Sequence, residues 1–468
     1  MFRPRMATGS TLGTSRSSAL LDLGGMLERE LPNGLRVRVL PEPSAPTVSY
    51  YTFFQVGSRN ERPGLTGISH LFEHMMFGGA AKYGPKEFDR VLESRGGHSN
   101  AYTSNDLTAY YEDFAAEALE TVVDLESDRM RSLRLTDEVL EQEREVVKEE
   151  RRLRTDNSVF GLMEEQLEAL VFLAHPYRWP VIGWMSDIER IGRADCEAFF
   201  RTYYAPGNAA IYCVGDVDGQ AALDLIERAY HDIPRGPPPA PVLQGEPAQR
   251  GERRAAVRYP AQAPALLCGW RGPPARSPDA PVLDVLQVCL AVGEASRLRR
   301  RLVIEEEAAV SVSISWAWRI DPGVFLAYAE LAPGGDPGRT EALLREELER
   351  VSRSGVSARE VGRARALLRS SLLHELSTHH GVAHALGQAE AILGDYREAG
   401  RALEHYDRVK PEDVRRVARE VLEPGRRSVV VLEPEPGAPE RRAGGERPRA
   451  RPSGCPPSCG NGSTAGSR

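Results

Sequence analysis

Long apolar segments are absent from this 468-residue chain, which limits where it can work. It contains no run of 18 apolar residues, so no segment reads as a helix that crosses a bilayer. Residues 1–24 include Arg3 and Arg5 but no continuous apolar stretch, so they predict a flexible leader and not a secretory signal. We therefore expect a cytoplasmic protein without a membrane span.

Cysteine is also scarce, with six residues in the whole chain. Four of them are widely separated in apolar or helical sequence: Cys196, Cys213, Cys268 and Cys289. This spacing favours buried free thiols in a reducing compartment over a disulfide framework. Cys455 and Cys459 fall in residues 436–468, a tail rich in Pro, Gly and Ser that we expect to be disordered. Two cysteines without a second pair of ligands do not indicate a metal site.

An excess of positive charge is the third feature that the chain lacks. Its net charge is -7 and is spread along the sequence, which argues against nucleic acid as the main partner. Hydrophobic residues make up 41% and charged residues 27%, as in ordinary soluble globular proteins. The length predicts two or three domains.

The predicted elements repeat their order along the chain. Strands and helices follow as β, α, α, β, β, α, α once before and once after a proline-rich segment, residues 234–250. Such self-similarity is typical of duplicated domains, and prolines at this density form a stiff spacer. We therefore predict an N-terminal domain over residues 25–233, a linker over 234–250 and a homologous C-terminal domain over 251–435.

The stretch His70-Leu71-Phe72-Glu73-His74 is the first candidate functional site. On a helix, His70, Glu73 and His74 share one face beside an apolar stripe. Imidazoles four residues apart can reach one Zn²⁺ ion, and Glu73 can serve as a base beside it. A five-residue match is weak by itself, and a pair of histidines with ordinary packing roles is the alternative.

A later predicted helix carries two carboxylates next to apolar residues. Glu143, Val146, Val147 and Glu150 stand at i, i+3, i+4 and i+7, so they form one stripe. A carboxylate on an inward stripe is costly unless it meets a cation or hydrogen-bond donors, and a metal would meet that need. The second-half helix at residues 285–289 has no pair of metal ligands, which assigns the chemistry to the first half.

At this point the sequence resembles the zinc peptidases of the pitrilysin, insulinase and mitochondrial processing peptidase superfamily, whose inverted motif is His-x-x-Glu-His. The resemblance runs from about Leu27 to about Glu433 and is closest to the short, two-domain bacterial type of processing peptidase subunit. Further segments agree in order: VGSRNE at 56–61, GGHSNAYT at 96–103, DLTAYY at 106–111, HPY at 175–177, PVIG at 180–183 and YAPGN at 204–208. It implies an α+β fold of two homologous α/β-roll domains. Each would be a mostly antiparallel sheet with helices on one face, as in LuxS/peptidase-like metalloenzymes.

The resemblance also implies a complete metal site. Glu150 lies 76 residues after His74, and Glu143 lies seven residues before Glu150, as the family pattern requires. It implies that His70, His74 and Glu150 hold one Zn²⁺ ion per chain, with water in an open fourth position and Glu143 supporting the ligands. Glu73 would take the proton of the attacking water and deliver it to the leaving amine.

The resemblance extends to the substrate. His98, Asn100 and Ala101 match the family's edge strand, where an extended peptide adds as a further strand and Asn100 orients its carbonyl. For His98, a simple loop role is the alternative. The implied activity is that of a zinc-dependent endopeptidase acting on short or unfolded peptides. The alternative is a structural subunit of the same fold that cleaves nothing, although such subunits usually lose a ligand or the base.

One departure from the family pattern lies in the second half. After Ser296-Arg297-Leu298, family members that work alone carry an Arg and a Tyr seven residues apart, but the aligned positions here are Val303 and Val310. Valine donates no hydrogen bond to a substrate. The hypothesis is that a homologous subunit in a heterodimer supplies these groups; a homodimer is the alternative assembly. The alternative is that Arg301 or Arg319 serves.

Overall fold

The computed structural model describes residues 21–435. Most of the expected leader and all of the expected tail, with Cys455 and Cys459, therefore lie outside the described residues. Within residues 21–435, no helix is both long and apolar enough to cross a bilayer. The cytoplasmic location stays a prediction.

The first half forms a six-stranded sheet. Its strands are β1 (Leu27–Glu30), β2 (Arg36–Pro41), β3 (Thr47–Phe54), β4 (His98–Thr103), β5 (Thr108–Ala115) and β6 (Ala209–Gly215). The order across the sheet is β1-β2-β6-β3-β5-β4, and only β2 and β6 run parallel. Gly34 has φ +85° in the turn that joins β1 to β2, a conformation that suits glycine. The strand β4 forms one edge of the sheet.

Helices of the first half occupy mainly one face of this sheet. They are α1 (Ile68–Met75), α2 (Glu87–Glu93), α3 (Leu119–Ser132), α4 (Asp137–Arg151), α5 (Val159–Val171), α6 (Met185–Ile188), α7 (Arg193–Tyr203) and α8 (Gly219–Tyr230). Buried side chains of α1, α3 and α4 share one core with the sheet: Ile68, Leu71, Phe72, Val122, Val147, Tyr50, Phe54 and Tyr110. This core fixes α1 and α4 relative to each other.

The second half repeats the arrangement without the first strand. Its strands are β7 (Arg253–Tyr259), β8 (Ala265–Arg271), β9 (Ser311–Trp316), β10 (Val324–Glu330) and β11 (Arg427–Pro434), in the order β7-β11-β8-β10-β9. Its helices are α9 (Ala280–Ala291), α10 (Pro337–Ser354), α11 (Ala358–Glu375), α12 (His379–Gln388), α13 (Glu398–Arg408) and α14 (Pro411–Val421). As in the first sheet, one pair of neighbouring strands is parallel, here β7 and β11, and the other pairs are antiparallel. The expected α+β fold of two α/β rolls is confirmed.

The segment between the two sheets forms neither helix nor strand over residues 234–250. It is nonetheless attached to the first half, because the carboxylate of Glu246 accepts hydrogen bonds from the backbone N–H groups of Leu173, Ala174 and His175. The domain boundaries assigned from the sequence stay predictions.

One helix of each half packs on the sheet of the other half, and the sequence did not predict this exchange of helices. The helix α5 packs on the second sheet, where Met163, Leu167 and Val171 join one core with Leu267 and Val430. Conversely, α12 packs on the first sheet. Its side chains Val382, Ala383 and Leu386 join a core with residues of β3 and β6: Tyr51, Phe53 and Tyr212. The sheet face opposite the local helices is therefore covered by a helix from the other half.

Glycine permits this exchange at two closely packed positions. A Cβ atom on Gly387 of α12 would lie 1.9 Å from Cε2 of Phe53, and one on Gly269 of β8 would lie 2.8 Å from Cδ2 of Leu167. Carbon atoms do not approach so closely without displacement of the neighbour. Both contacts join elements of different halves.

Candidate metal centre

The helix α1 begins on a buried carboxylate. Gly67, which caps the helix, has φ +87°, and the N–H groups of Gly67 and Ser69 each donate to the carboxylate of Glu61 at 2.9 Å. These are N–H groups that the helix itself cannot satisfy, so the carboxylate fixes the start of α1. Burial raises the pKa of Glu61 to about 8, although these hydrogen bonds oppose the shift.

A backbone crossing next to Glu61 ties α1 to α4. A Cβ atom on Gly183, where φ is +81°, would lie 2.4 Å from the carbonyl oxygen of Thr66. The carboxylate of Asp187 accepts hydrogen bonds from the N–H and the hydroxyl of Thr66. From α4, Arg151 donates to the carbonyl oxygen of Gly183 at 2.6 Å. Because the close approach to Thr66 needs a glycine at residue 183, it explains the glycine that ends the segment at 180–183 noted in the sequence.

Three side chains from α1 and α4 converge. The Nε2 atom of His74 lies 3.2 Å from Oε2 of Glu150, and Nε2 of His70 lies 3.7 Å from the same oxygen. One ligand atom from each residue lies within 4.8 Å of the other two, and among residues 21–435 no other group of His, Cys, Asp or Glu meets this distance. Two imidazoles and a carboxylate are a donor set that fits Zn²⁺.

The pKa shifts of His70 and Glu150 favour the forms that bind a metal, whereas the shift of His74 favours its protonated form, which must lose its proton before a metal can bind. Burial lowers the pKa of His70, and neutral imidazole is the form that binds metals. Burial opposes ionisation of Glu150, but the hydrogen bond to His74 and the charge of His70 outweigh it, so its pKa falls to about 2. Burial also lowers the pKa of His74, but Glu150 and Glu73 outweigh it and the net shift is upward. The carboxylate of Glu150 is thus ionised throughout the neutral range.

Two more carboxylates complete the pocket. The Oε2 atom of Glu73 lies 4.0 Å from Nε2 of His70, and Oε2 of Glu143 lies 3.7 Å from Nδ1 of His74. Burial raises the pKa of Glu143, with partial opposition from His74. The structure therefore brings together all five residues that the sequence assigned to the metal site and its surroundings.

The stripe on α4 is narrower than the sequence analysis expects. Val147 is fully buried between Glu143 and Glu150, whereas Val146 is 45% exposed. Successive helical residues are rotated by about 100°, so Val146 lies at the margin of the buried face. The assignment of the two carboxylates does not depend on it.

The predicted substrate-binding residues lie on β4 but on opposite faces. Ala101 is buried in the core with α1, whereas the side chain of His98 is 69% exposed on the other face. The Nε2 atom of His98 lies 3.5 Å from Oδ2 of Asp113, so His98 has a charged neighbour and is a strand residue, not a loop residue. The side-chain oxygen of Asn100 accepts a hydrogen bond from the N–H of Ala101 at 2.8 Å.

The second half has two valines where the family pattern has an Arg and a Tyr, and the two arginines named as alternatives are paired with carboxylates of this chain. Val303 packs against the core, and Val310 is exposed. Arg301 pairs with Glu306 at 2.5 Å. Arg319 pairs with Glu168 of α5 at 2.6 Å and stacks on a tyrosine ring. Both arginines are therefore committed to contacts within the chain.

A polar network, missed from the sequence, links the two halves beside α1. Arg59 pairs with Asp106 at 3.3 Å and also with Asp321 of the second half. His175 lies 3.1 Å from Asp321, and the hydroxyl of Tyr177 donates to Asp106 at 2.6 Å. Three segments that looked like separate sequence motifs, at 56–61, 106–111 and 175–177, therefore meet in one place. Only their clustering in space shows this role.

Two family descriptions match consecutive parts of the chain, and the second match begins inside the N-terminal half, before α7. Residues 36–182 match insulinase (peptidase family M16), and residues 190–368 match the peptidase M16 inactive domain. The convergent histidine and glutamate ligands lie in the former. The second-half match agrees with the absence of metal ligands from residues 285–289.

Relatives that match most of this chain are also named as proteases or as a processing peptidase subunit. The zinc protease PqqE of Helicobacter pylori is 31% identical over 420 residues, or 86% of this chain and 92% of that protein. The mitochondrial-processing peptidase subunit beta of Lentinula edodes is 26% identical over 440 residues, or 89% and 92%. The crystal structure of a protease from Helicobacter pylori superposes with a TM-score of 0.84 and 28% identity, covering 87% of this chain and 99% of that one. The expected superfamily is confirmed: the chain belongs to the insulinase family of peptidases, family M16, as a two-domain member.

Proposed function

We propose that this chain is a zinc-dependent endopeptidase that cleaves short or unfolded peptides, with one Zn²⁺ ion held by His70, His74 and Glu150. One observation carries the proposal: three ligand atoms converge within 4.8 Å in a pocket that also holds Glu73 and Glu143. Three protein ligands are typical of a catalytic zinc ion, whereas structural ions usually have four. The zinc protease named among the relatives supports the choice of metal.

The side chains of the pocket divide the chemistry among them. When bound, Zn²⁺ supplies a Lewis acid that polarises a peptide carbonyl and makes water acidic near neutral pH. Glu73, next to His70, accepts the proton of the attacking water and then donates it to the leaving amine nitrogen. Glu143 approaches Nδ1 of His74 and so holds the ring with Nε2 toward Glu150.

The edge strand β4 provides the place for the substrate. Among the described residues, β4 pairs with β5 alone, so its other edge can accept a strand. The strand also packs against α1, which places this edge beside the metal site. An extended peptide added there would contact His98, Asn100 and Ala101 through main-chain hydrogen bonds. Only short or unfolded peptides can adopt this conformation.

The test is a digest of a mixed peptide library, read by mass spectrometry with and without a chelator. Cleavage should stop with the chelator and return when zinc is restored. The variant Glu73→Gln should bind one zinc ion per chain but cleave nothing, because it retains the ligands and lacks the base. Glu149→Gln, exposed on the same helix as Glu150, is the matched control and should cleave normally. Normal turnover by Glu73→Gln would refute the assigned base.

We further propose that a homologous partner supplies the arginine and the tyrosine that this chain replaces with Val303 and Val310. Val303 and Val310 cannot donate, and Arg301 and Arg319 are held in ion pairs. The relative from Lentinula edodes is named as a subunit, which supports a two-chain enzyme. The purified chain should have little activity alone and should gain activity when mixed with a homologous chain that carries the arginine and the tyrosine. Full activity as a monomer would rule out the partner.

A structural role without cleavage is the competing function. The match of residues 190–368 to a domain described as inactive is the observation that favours it. The intact set of His70, Glu73, His74 and Glu150 argues against it, because a scaffold does not need the base. Zinc-loaded protein that cleaves no peptide, alone or with a homologous partner, would favour the scaffold.

A further inference from the structure

A cluster of titratable side chains lies beside β4 on the sheet face that α12 covers. Side chains alternate between the two faces of a strand, so His98, Asn100 and Tyr102 point to this face and Ala101 to the metal side. Tyr102 shares a core with Val382 of α12, which confirms the direction. Every second side chain of a peptide added to β4 would therefore lie on this face, and the one opposite His98 would lie beside it.

The cluster consists of two imidazoles and one carboxylate. Oδ2 of Asp113 lies 2.8 Å from Nδ1 of His380 on α12 and 3.5 Å from Nε2 of His98. An ionised carboxylate oxygen accepts hydrogen bonds only, so His380 donates its Nδ1–H to it, whereas His98 lies within ion-pair distance. The side chains of His380 and His98 are 40% and 69% exposed, so the cluster opens to solvent next to the strand edge.

Aromatic contacts hold His380 in place. Its Nε2 atom lies 3.0 Å from the hydroxyl of Tyr51, and its ring meets the ring of Tyr111 edge-on at 4.8 Å. Both nitrogens of His380 are therefore engaged by the chain. Burial raises the pKa of Asp113, but the hydrogen bond and charge of His380 and the charge of His98 outweigh it, and its pKa is lowered. Asp113 is a fixed anion, and His98 is the member that can turn toward a substrate.

The surrounding elements bring few other charges to this face. The titratable groups that face the cluster are Tyr51 from β3, Tyr111 from β5 and His384 from α12, whose ring stacks on that of His380 at 6.5 Å. His384 is paired with Glu375 of α11 at 3.3 Å. The charge that a substrate meets is therefore set by His98, Asp113 and His380.

We propose that His98, Asp113 and His380 form a side-chain subsite that selects an Asp or Glu residue in the peptide paired with β4, under mildly acidic conditions. This inference rests on the proposed function. With both imidazoles protonated the cluster carries one positive charge, and with both neutral it carries one negative charge. Loss of the imidazole protons therefore reverses the preference toward Lys or Arg as the pH rises.

The experiment compares library digests at about pH 5.5 and about pH 8, the range in which histidine side chains serve as pH switches. At the lower pH, the wild-type protein should enrich Asp and Glu about two- to fivefold at one fixed position from the cleaved bond, the size expected of an exposed ion pair. At the higher pH, Lys and Arg should replace them. The variants His98→Gln and His380→Gln should each weaken this reversal, and the double variant should abolish it. His231→Gln, exposed at the end of α8, should keep the wild-type pattern.

The readout is a ratio within one digest, so an overall change of activity in a variant does not affect it. Chelator-sensitive cleavage without a pH-dependent charge preference would overturn the subsite alone. A reversal that persists in the double variant would overturn it equally. Absence of chelator-sensitive cleavage by the wild-type protein would instead contradict the proposed function, and the subsite with it.

Discussion

Glu143 and His74 meet across 3.7 Å, on the side of the imidazole ring away from the nitrogen that faces Glu150. The contact holds the ring of His74 on the side opposite the nitrogen that we propose to bind zinc. Loss of such a contact typically weakens metal binding without destroying the site. We expect Glu143→Gln to raise the zinc dissociation constant by about 10- to 100-fold, measured by competition with a chromophoric chelator. Glu145→Gln, which alters an exposed carboxylate of the same helix, should bind zinc normally.

Glu150 is expected to behave differently, because we propose it as a zinc ligand. Its ionised carboxylate lies within 3.7 Å of both histidines. The variant Glu150→Gln loses the anionic oxygen, so we expect no stoichiometric zinc after dialysis and no peptide cleavage, with an unchanged circular dichroism spectrum. Glu149→Gln is the neighbouring control and should retain one zinc ion per chain. Retention of zinc by Glu150→Gln would exclude it as a ligand.

The contact of Gly387 with Phe53 predicts a loss of stability. A methyl group at residue 387 would lie 1.9 Å from the ring, and Phe53 is itself buried. We expect Gly387→Ala to lower the free energy of unfolding by about 1–3 kcal/mol, as overpacking usually does, in urea titrations followed by fluorescence. Gly362→Ala, in an open position on α11, should instead raise it by about 1 kcal/mol, through helix propensity. Equal effects would contradict the close packing of α12.

Glu61 predicts a pH dependence of stability. Burial raises its pKa to about 8 in the folded protein from the ordinary 4.5. Between these values the folded state keeps a proton that the unfolded state has released. The stabilisation is therefore complete below pH 4.5 and is lost as pH rises toward about 8, by at most about 1.4 kcal/mol per pH unit. The difference in unfolding free energy between the wild-type protein and Glu61→Gln should change across this window. Parallel curves would contradict it, and Glu117→Gln, on the surface, is the control.

Much of the site could be predicted from the sequence because its parts depend on local spacing. His70, Glu73 and His74 lie on one helical turn, and Glu143 and Glu150 are two turns apart on α4. The helix α12 could not be predicted in the same way. It contains three histidines and two glycines, which are poor helix formers, and its stability comes from packing on Tyr51 and Phe53 of the other half.

The roles of Arg59 and Asp187 were hidden for a related reason. Arg59 and Asp187 are charged residues in very short helical segments, and such residues are usually exposed. Only the folded chain shows that Asp187 binds the backbone before α1 and that Arg59 reaches Asp321 in the second half. Contacts between residues more than a hundred positions apart leave no periodic pattern in the sequence.

The exchange of α5 and α12 makes the two halves inseparable in biogenesis. A chain cut within residues 234–250 would leave the apolar face of β3 and β6 without α12, and that of β8 and β11 without α5. Each fragment would expose an apolar sheet face and an apolar helix without its packing partner. We therefore expect neither fragment to be soluble when made alone. Co-synthesis of the two fragments should restore the native assembly. A half without the proposed metal ligands would then be retained because the half that carries them cannot complete its own folding without it.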